Sequence, residues 1–168
     1  YYQHGISRSL PNMKKARANH VLVWHKGKIY AIGGREDSGN SKILDKNHFV
    51  EFLDYSNKME WEEYSTPYKF IDGASEDSID KRYNHGACSF GDEIFIFGGI
   101  SSSSNTRSSA IAFNPETGTI RKLADMSEVL GENKRLNPCV AVPFGSKIYI
   151  IGNDKDNTSL LKILEYTP

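Results

Sequence analysis

The chain has 168 residues with 21 basic and 21 acidic side chains, so its formal net charge is zero. This balance argues against a nucleic-acid-binding or membrane-surface protein, because such partners require a basic excess. The longest apolar runs span about six residues, far short of the roughly 20 that a transmembrane helix needs.

Short apolar runs bounded by turn residues predict β-strands along the whole chain. The first unit is expected to hold four strands, at about 20–24, 28–32, 49–55 and 61–64. The second unit has four, at about 85–90, 93–97, 109–113 and 120–123. The third unit has three, at about 139–142, 147–151 and 160–166. Two-residue turns containing glycine join the first two strands of each unit, as in tight hairpins, at Lys26-Gly27, Gly91-Asp92 and Gly145-Ser146.

The same motif occurs three times, 65 and then 54 residues apart. Each copy is a charged residue, an apolar strand and a glycine pair or its near equivalent: Lys28–Gly34, Glu93–Gly99 and Lys147–Asn153. An arginine precedes each strand by a similar spacing, at Arg17, Arg82 and Arg135. Such internal repetition is the mark of a repeat architecture.

These markers, together with Tyr55 and Trp61 downstream of the first glycine pair, resemble the kelch repeat. The resemblance covers nearly the whole chain and implies an all-β fold, a kelch-type β-propeller of four-stranded antiparallel blades. Two positions depart from the pattern: Asn153 replaces the second glycine, and Ile120 stands where tryptophan is expected. An unrelated antiparallel sandwich is the alternative.

The strand count predicts about three blades. They would be part of a larger propeller, or of a propeller that a second copy of the chain completes. The expected units are a strand completing a neighbouring blade (1–12), blade 1 (13–69), blade 2 (70–126) and blade 3 without its fourth strand (127–168). The first residue is Tyr1 and no signal pattern follows it, which favours a fragment or a processed piece. The missing blades would come from the same gene or from a second copy of the chain, and both remain open.

The long connections all fall on one side of the predicted blades, where loops held by a rigid scaffold usually carry function. The resemblance implies a protein-interaction scaffold, as in kelch-containing ubiquitin-ligase adaptors, whose arginines receive acidic peptides. A cytoskeletal adaptor is equally open. The candidate partner-binding residues on this side are Arg17, Arg35, Arg82, Tyr83, Arg107 and Arg135. Because an arginine recurs in each unit, Arg17, Arg82 and Arg135 have an alternative structural role, binding loop carbonyls between blades.

No catalytic, cofactor or metal site is predicted. His20 and His85 align between units, but the third unit has Pro138 there, so no ring of metal ligands follows. The two cysteines, Cys88 and Cys139, give no disulfide framework, which favours a reducing cytoplasm. Secretion stays open because Asn157 begins a glycosylation sequon. The competing functional class is a blade segment of a propeller enzyme such as a galactose-oxidase-like copper-radical oxidase, on fold analogy alone.

Overall fold

The computed structural model describes residues 9–36, 48–57, 59–79, 82–100, 109–131, 136–154 and 157–168. Three sheets account for nearly all its regular structure. The first sheet contains β1 (Val21–His25), β2 (Lys28–Ile32), β3 (Val50–Asp54) and β4 (Trp61–Glu63). The second contains β5 (Lys69–Ile71), β6 (Gly86–Phe90), β7 (Glu93–Phe97), β8 (Ala110–Asn114) and β9 (Thr119–Lys122). The third contains β10 (Leu136–Phe144), β11 (Lys147–Asp154) and β12 (Asn157–Tyr166). Two single-turn helices, α1 (Glu76–Ile79) and α2 (Ser127–Leu130), lie in the connections between sheets.

Strands β1–β4, β6–β9 and β10–β12 each form an antiparallel meander, so the prediction of an all-β chain built from propeller-type blades is confirmed. We call β1–β4 blade 1, β6–β9 blade 2 and β10–β12 blade 3. Strands β2 and β7 have the predicted bounds because a hairpin turn and a glycine pair delimit each of them. The described part of the third sheet contains three strands, and all three run further than predicted.

The connection from blade 1 to blade 2 differs from the predicted plain loop over Ser65–Lys81. Strand β5 lies in this connection and pairs in parallel with β9, which makes the second sheet five-stranded. The connection has to pass the outer edge of blade 2, and there Phe70 packs against the hydrophobic core while Lys69 N–H bonds to Gly118 O at 2.9 Å. The predicted strand within residues 1–12 falls largely on residues 1–8, which lie outside the described residues, and 9–12 contain no strand.

The hydrophobic core lies between the blades. Because side chains alternate along a strand, each blade presents a forward face to the next blade along the chain and a backward face to the previous one. Blade 2 is buried on both faces, which explains the uninterrupted apolar run of β7, whose Ile94–Phe97 are at most 1% exposed. The interface of blades 1 and 2 contains Val23, Tyr30, Ile32, Val50, Ala87, Ile94, Ile96, Ile111, Phe113 and Ile120. The interface of blades 2 and 3 contains Cys88, Phe95, Phe97, Ala110, Ala112, Cys139, Ile148 and Ile150.

The glycine pairs are the points at which the next blade docks. Gly33 and Gly34 have φ of +63° and +101°, a region that side chains rarely adopt. A Cβ on Gly33 would lie 2.3 Å from Arg82 O and 2.6 Å from His85 Cε1, both in blade 2 or the connection leading to it. Gly34 N–H donates to the same Arg82 oxygen at 2.9 Å. Glycine is therefore required here both by conformation and by close approach.

Candidate functional site

One side of the blades carries all the long connections, as predicted. The turns between β1 and β2, β6 and β7, and β10 and β11 are two residues each and lie on the opposite side. The connections that leave β2, β4, β7 and β9 are much longer and emerge together. We call the side with these longer connections the long-loop face. Of the predicted partner-binding residues, Arg17, Arg35, Arg82 and Tyr83 belong to connections on this side.

Arg17 lies inside this face rather than on it. Its side chain is 0% exposed and forms an ion pair with the equally buried Glu51, with Arg17 Nη2 2.6 Å from Glu51 Oε1. The guanidinium also donates to Gly33 O at 2.9 Å and to His48 O at 3.2 Å, at the two ends of the connection between β2 and β3. Glu51 in turn accepts the backbone N–H groups of Lys14 and Lys15.

Arg82 repeats this arrangement in blade 2. It is 0% exposed, and its Nη1 donates to Gly98 O at 2.8 Å and to Ser109 O at 3.1 Å, the two ends of the connection between β7 and β8. Its Nη2 donates to Ser78 O at 2.8 Å, in helix α1. Both arginines therefore bind carbonyl groups of their own chain, as the structural alternative expects, and their side chains are buried. Their partner-binding role stays a prediction.

Arg35 and Tyr83 are brought together across the boundary of blades 1 and 2. The Arg35 guanidinium carbon lies 5.5 Å from the centre of the Tyr83 ring, and both residues are partly exposed. Arg35 Nε donates to Asn19 Oδ1 at 3.1 Å, and the Arg35 backbone forms a β-bridge with Ala18. This cation–π contact holds the guanidinium beside the Tyr83 ring. Among the described residues, the hydrogen bond from Nε to Asn19 is its side-chain hydrogen bond.

Asn19 and Asn84 form a second feature of the long-loop face, at the boundary of blades 1 and 2. We did not predict this feature from the sequence. They are 65 residues apart, at the same position of successive units. Both have left-handed backbone conformations, with φ of 57° and 56°, which asparagine tolerates better than most residues. Asn84 N–H donates to Asn19 O at 3.0 Å and so joins the inner edges of blades 1 and 2. The recurrence of asparagine in the repeat was the available signal.

A pocket of about 410 Å³ opens beside Arg35 and Tyr83, where the inner strands of the three blades meet. Its lining comes from the starts of β1, β6 and β10, and it includes Asn19, His20, Asn84, His85, Pro138 and Cys139. Arg35 reaches this rim through its hydrogen bond to Asn19. The pocket therefore lies next to the cation–π pair of Arg35 and Tyr83.

The buried histidines are kept neutral by their surroundings. Burial, and then the positive charge of Arg82, lower the pKa of His85 to about 3. Burial, and next the charge of Arg17, also lower the pKa of His20. Neutral imidazoles in these positions pack the blade boundary and carry no charge to a ligand.

The register of the third sheet corrects one sequence alignment. Val21, Gly86 and Val140 occupy equivalent positions because they pair with Ile32, Phe97 and Ile151. The residue that corresponds to His20 and His85 is therefore Cys139, and not Pro138. Among the described residues, no group of three or more His, Cys, Asp or Glu side chains is arranged to hold a metal ion.

The two cysteines have the properties of packing residues. Burial raises the pKa of Cys88 to about 12 and that of Cys139 to about 11. Cys139 Sγ lies 3.2 Å from Phe97 O, across the boundary of blades 2 and 3. Both thiols are thus protonated at neutral pH, whereas a nucleophile or a metal ligand would need the thiolate.

The remaining predicted residues, Arg107 and Arg135, lie outside the described residues, so their partner-binding role stays a prediction. No helix within the described ranges is long and apolar enough to cross a bilayer.

Comparison with protein-family models matches residues 81–127 to the family described as the kelch motif. The match includes the whole of β6–β9, and therefore blade 2 with its anchoring Arg82 and its glycine pair. No curated protein matches the chain.

Proposed function

The chain carries a kelch repeat, and from that premise we propose that it is a protein-interaction module that binds its partner through the long-loop face. Kelch motifs form propeller blades that commonly serve in protein–protein interaction. The candidate roles are those of a substrate-recognition or a cytoskeletal adaptor. A rigid stack of blades with long connections on one side is the type of scaffold on which binding loops are usually held.

The observation that carries this proposal is the cation–π pair of Arg35 and Tyr83 beside the inner pocket. In the described part of the chain Arg35 forms no ion pair with a carboxylate. A guanidinium presents a planar fork of N–H groups that is suited to bidentate binding of a carboxylate. The proposed partner is therefore an acidic peptide segment of another protein, and Arg107 and Arg135 are further candidates to contact it.

The test is affinity capture on the immobilised chain, in which wild type is compared with Arg35→Ala and Tyr83→Ala. A partner of the long-loop face should be retained about tenfold less by either variant, the effect of losing about 1.4 kcal/mol of binding free energy. The matched control is Lys26→Ala, which removes a cation in a short turn on the opposite side. A partner that is retained equally by all four proteins would remove Arg35 and Tyr83 from the site.

The kelch motif is typical of non-enzymatic interaction repeats, and we propose that this chain has no catalytic activity. The protonated thiols of Cys88 and Cys139 and the neutral His85 support this proposal. Metal analysis of the purified protein tests the propeller-oxidase alternative, which stoichiometric copper would favour. We also propose a cytoplasmic location, on the ground that both cysteines are free.

A further inference from the structure

A second pocket, of about 300 Å³, lies in the connection between blades 1 and 2. Its lining runs from Tyr64 to Tyr68 and also includes Phe70 and Glu76. This stretch begins directly after β4, contains β5 on the outer edge of blade 2 and ends at the start of α1. None of its lining residues belongs to the pocket beside Arg35, so the two cavities are separate. We call this second cavity the tyrosine pocket.

Three aromatic rings lie next to one another in the tyrosine pocket. The rings of Tyr64 and Tyr68 are stacked, with their centres 5.4 Å apart and an angle of 22° between their planes. The Phe70 ring lies beside that of Tyr68, at 6.4 Å between centres. All three side chains are partly exposed, so the aromatic surface is accessible to a ligand.

The two tyrosine rings are held in place by blade 2. The fully buried Phe113 packs edge-on against both of them, with ring centres 5.2 Å from Tyr64 and 6.0 Å from Tyr68. The Tyr64 hydroxyl donates a hydrogen bond to Pro115 O at 2.9 Å, in the turn between β8 and β9. A site whose rings are already fixed loses little conformational entropy when it binds a ligand.

The contact between successive blades does not depend on these aromatic residues. The connection that leads to blade 3 buries Met126 in its boundary, as the connection that leads to blade 2 buries Ile79. Yet residues 123–135 contain no aromatic side chain at all. The aromatic rings are therefore an addition to the first connection, beyond what docking a blade requires.

The chemistry of the tyrosine pocket favours a cation. Of the described residues that line it, Glu76 is the charged one, and its side chain is exposed. The face of an aromatic ring also attracts a cation that lies within about 6 Å of its centre. A lysine ammonium is strongly hydrated and would lose that hydration on aromatic rings. A quaternary ammonium group has no N–H groups to leave unpaired, and its methyl groups pack on the rings.

We infer that the tyrosine pocket binds a quaternary ammonium group, that of a trimethylated lysine side chain of a partner protein. Ser65, Thr66 and Pro67 in the lining are exposed, so the pocket opens at the surface, where a side chain still attached to another protein can enter it. The inference does not rest on the acidic-peptide site proposed above, because the two sites lie apart and take ligands of opposite charge.

Calorimetric titration of the full chain with three short peptides tests this inference. They differ at one side chain only: trimethyllysine, its neutral isostere with carbon in place of the ammonium nitrogen, and unmodified lysine. We expect trimethyllysine to bind about tenfold more tightly than either of the others, because the isostere has no charge and lysine loses its hydration. Equal binding of trimethyllysine and its isostere, or no binding, would overturn the inference. Choline bound as tightly as the peptide would overturn the assignment to a protein side chain.

Two variants locate the binding. Glu76→Gln keeps the shape of an exposed side chain and should weaken trimethyllysine binding about fivefold, with no change for the neutral isostere. Tyr68→Leu fills the site without an aromatic ring and should weaken it about tenfold. Circular dichroism should show that both variants keep the β-structure. An unchanged affinity in Glu76→Gln or in a folded Tyr68→Leu chain would overturn the site.

Two controls separate this site from other effects. Glu128→Gln removes an exposed carboxylate from helix α2, in the connection to blade 3, and should leave trimethyllysine binding unchanged. Arg35→Ala should also leave it unchanged, although it weakens the acidic partner proposed above. A loss of trimethyllysine binding in either control that equals the loss in Glu76→Gln would contradict the assignment to the tyrosine pocket.

Discussion

At the scale of single residues, Gly33 lies at a blade boundary where no side chain would fit. Arg82 O and His85 Cε1 occupy the space where a Cβ would stand. Gly98 repeats the arrangement, with Leu136 O 3.1 Å and Cys139 Sγ 3.3 Å from its missing Cβ. In blade 3 the equivalent Gly152 lies inside β11 and contacts residues of its own sheet instead. The glycine pair that marks the repeat in the sequence is therefore a docking point between blades.

A comparison of two glycine substitutions separates close packing from backbone strain. Gly33→Ala should lower the free energy of unfolding by about 3 kcal/mol or more, because the new Cβ meets a backbone oxygen that cannot move freely. Gly91→Ala should cost only about 1 kcal/mol, since its φ is also positive, at +58°, but no atom lies within 4 Å of the Cβ position. Urea unfolding of the two variants provides the measurement, and equal losses would contradict the docking role.

The sequence indicated which arginines recur but not which way they point. Arg17, Arg35 and Arg82 all lie on the predicted long-loop face, yet only Arg35 reaches solvent. Arg17 points inward because the fold brings carbonyl groups and the Glu51 carboxylate next to it. The order of residues along the chain does not show these contacts. A carboxylate in the middle of a predicted strand was the one available sign, because an unpaired charge would be too costly to bury there.

At the scale of elements, the prediction was most accurate where turns delimit strands. Positive φ at Gly27, Gly91 and Gly145 is required by tight hairpins, and the flanking strands follow directly. Strand β5 could not be predicted, because it has three residues and pairs with β9 about 50 residues away. Such an element depends on the path of the connection around blade 2 rather than on a pattern of its own.

The connections between blades are anchored by their buried arginines, and this gives a prediction. Arg82→Met should lower the free energy of unfolding by about 3 kcal/mol, because it leaves Gly98 O, Ser109 O and Ser78 O without their charged donor. Arg35→Met should change stability by less than about 0.5 kcal/mol, as expected for a partly exposed side chain. Thermal and urea unfolding would measure both, and a stable Arg82→Met chain would contradict the anchoring role.

At the scale of the whole molecule, stability should depend on pH through its buried histidines. The pKa of His85 is lowered to about 3 by burial and by the charge of Arg82, so near pH 5 the unfolded chain binds a proton that the folded chain does not. The stabilisation is complete above the ordinary histidine pKa and is lost as the pH falls toward 3.

Between pH 7 and 5, His85 alone should remove about 2 kcal/mol from the free energy of unfolding. Urea midpoints at the two pH values measure this change, and His85→Gln should reduce it by that amount because glutamine does not titrate. An unchanged pH dependence in the variant would show that His85 is not the group responsible. His20 and His25, whose pKa values are also lowered, should contribute in the same direction.

The anchoring of Arg35 and His48 affects how the sequence of the connection between β2 and β3 can vary. Both ends of the connection between β2 and β3 are fixed by neighbouring residues, through the Ala18–Arg35 bridge and the bond from Arg17 to His48 O. The residues between them can therefore be exchanged or lengthened without disturbing either strand. Doubling such a loop costs only about 0.6 kcal/mol of closure entropy. Under the binding role that we propose for the long-loop face, substitutions in this connection would change the partner while the blades that present it stay the same.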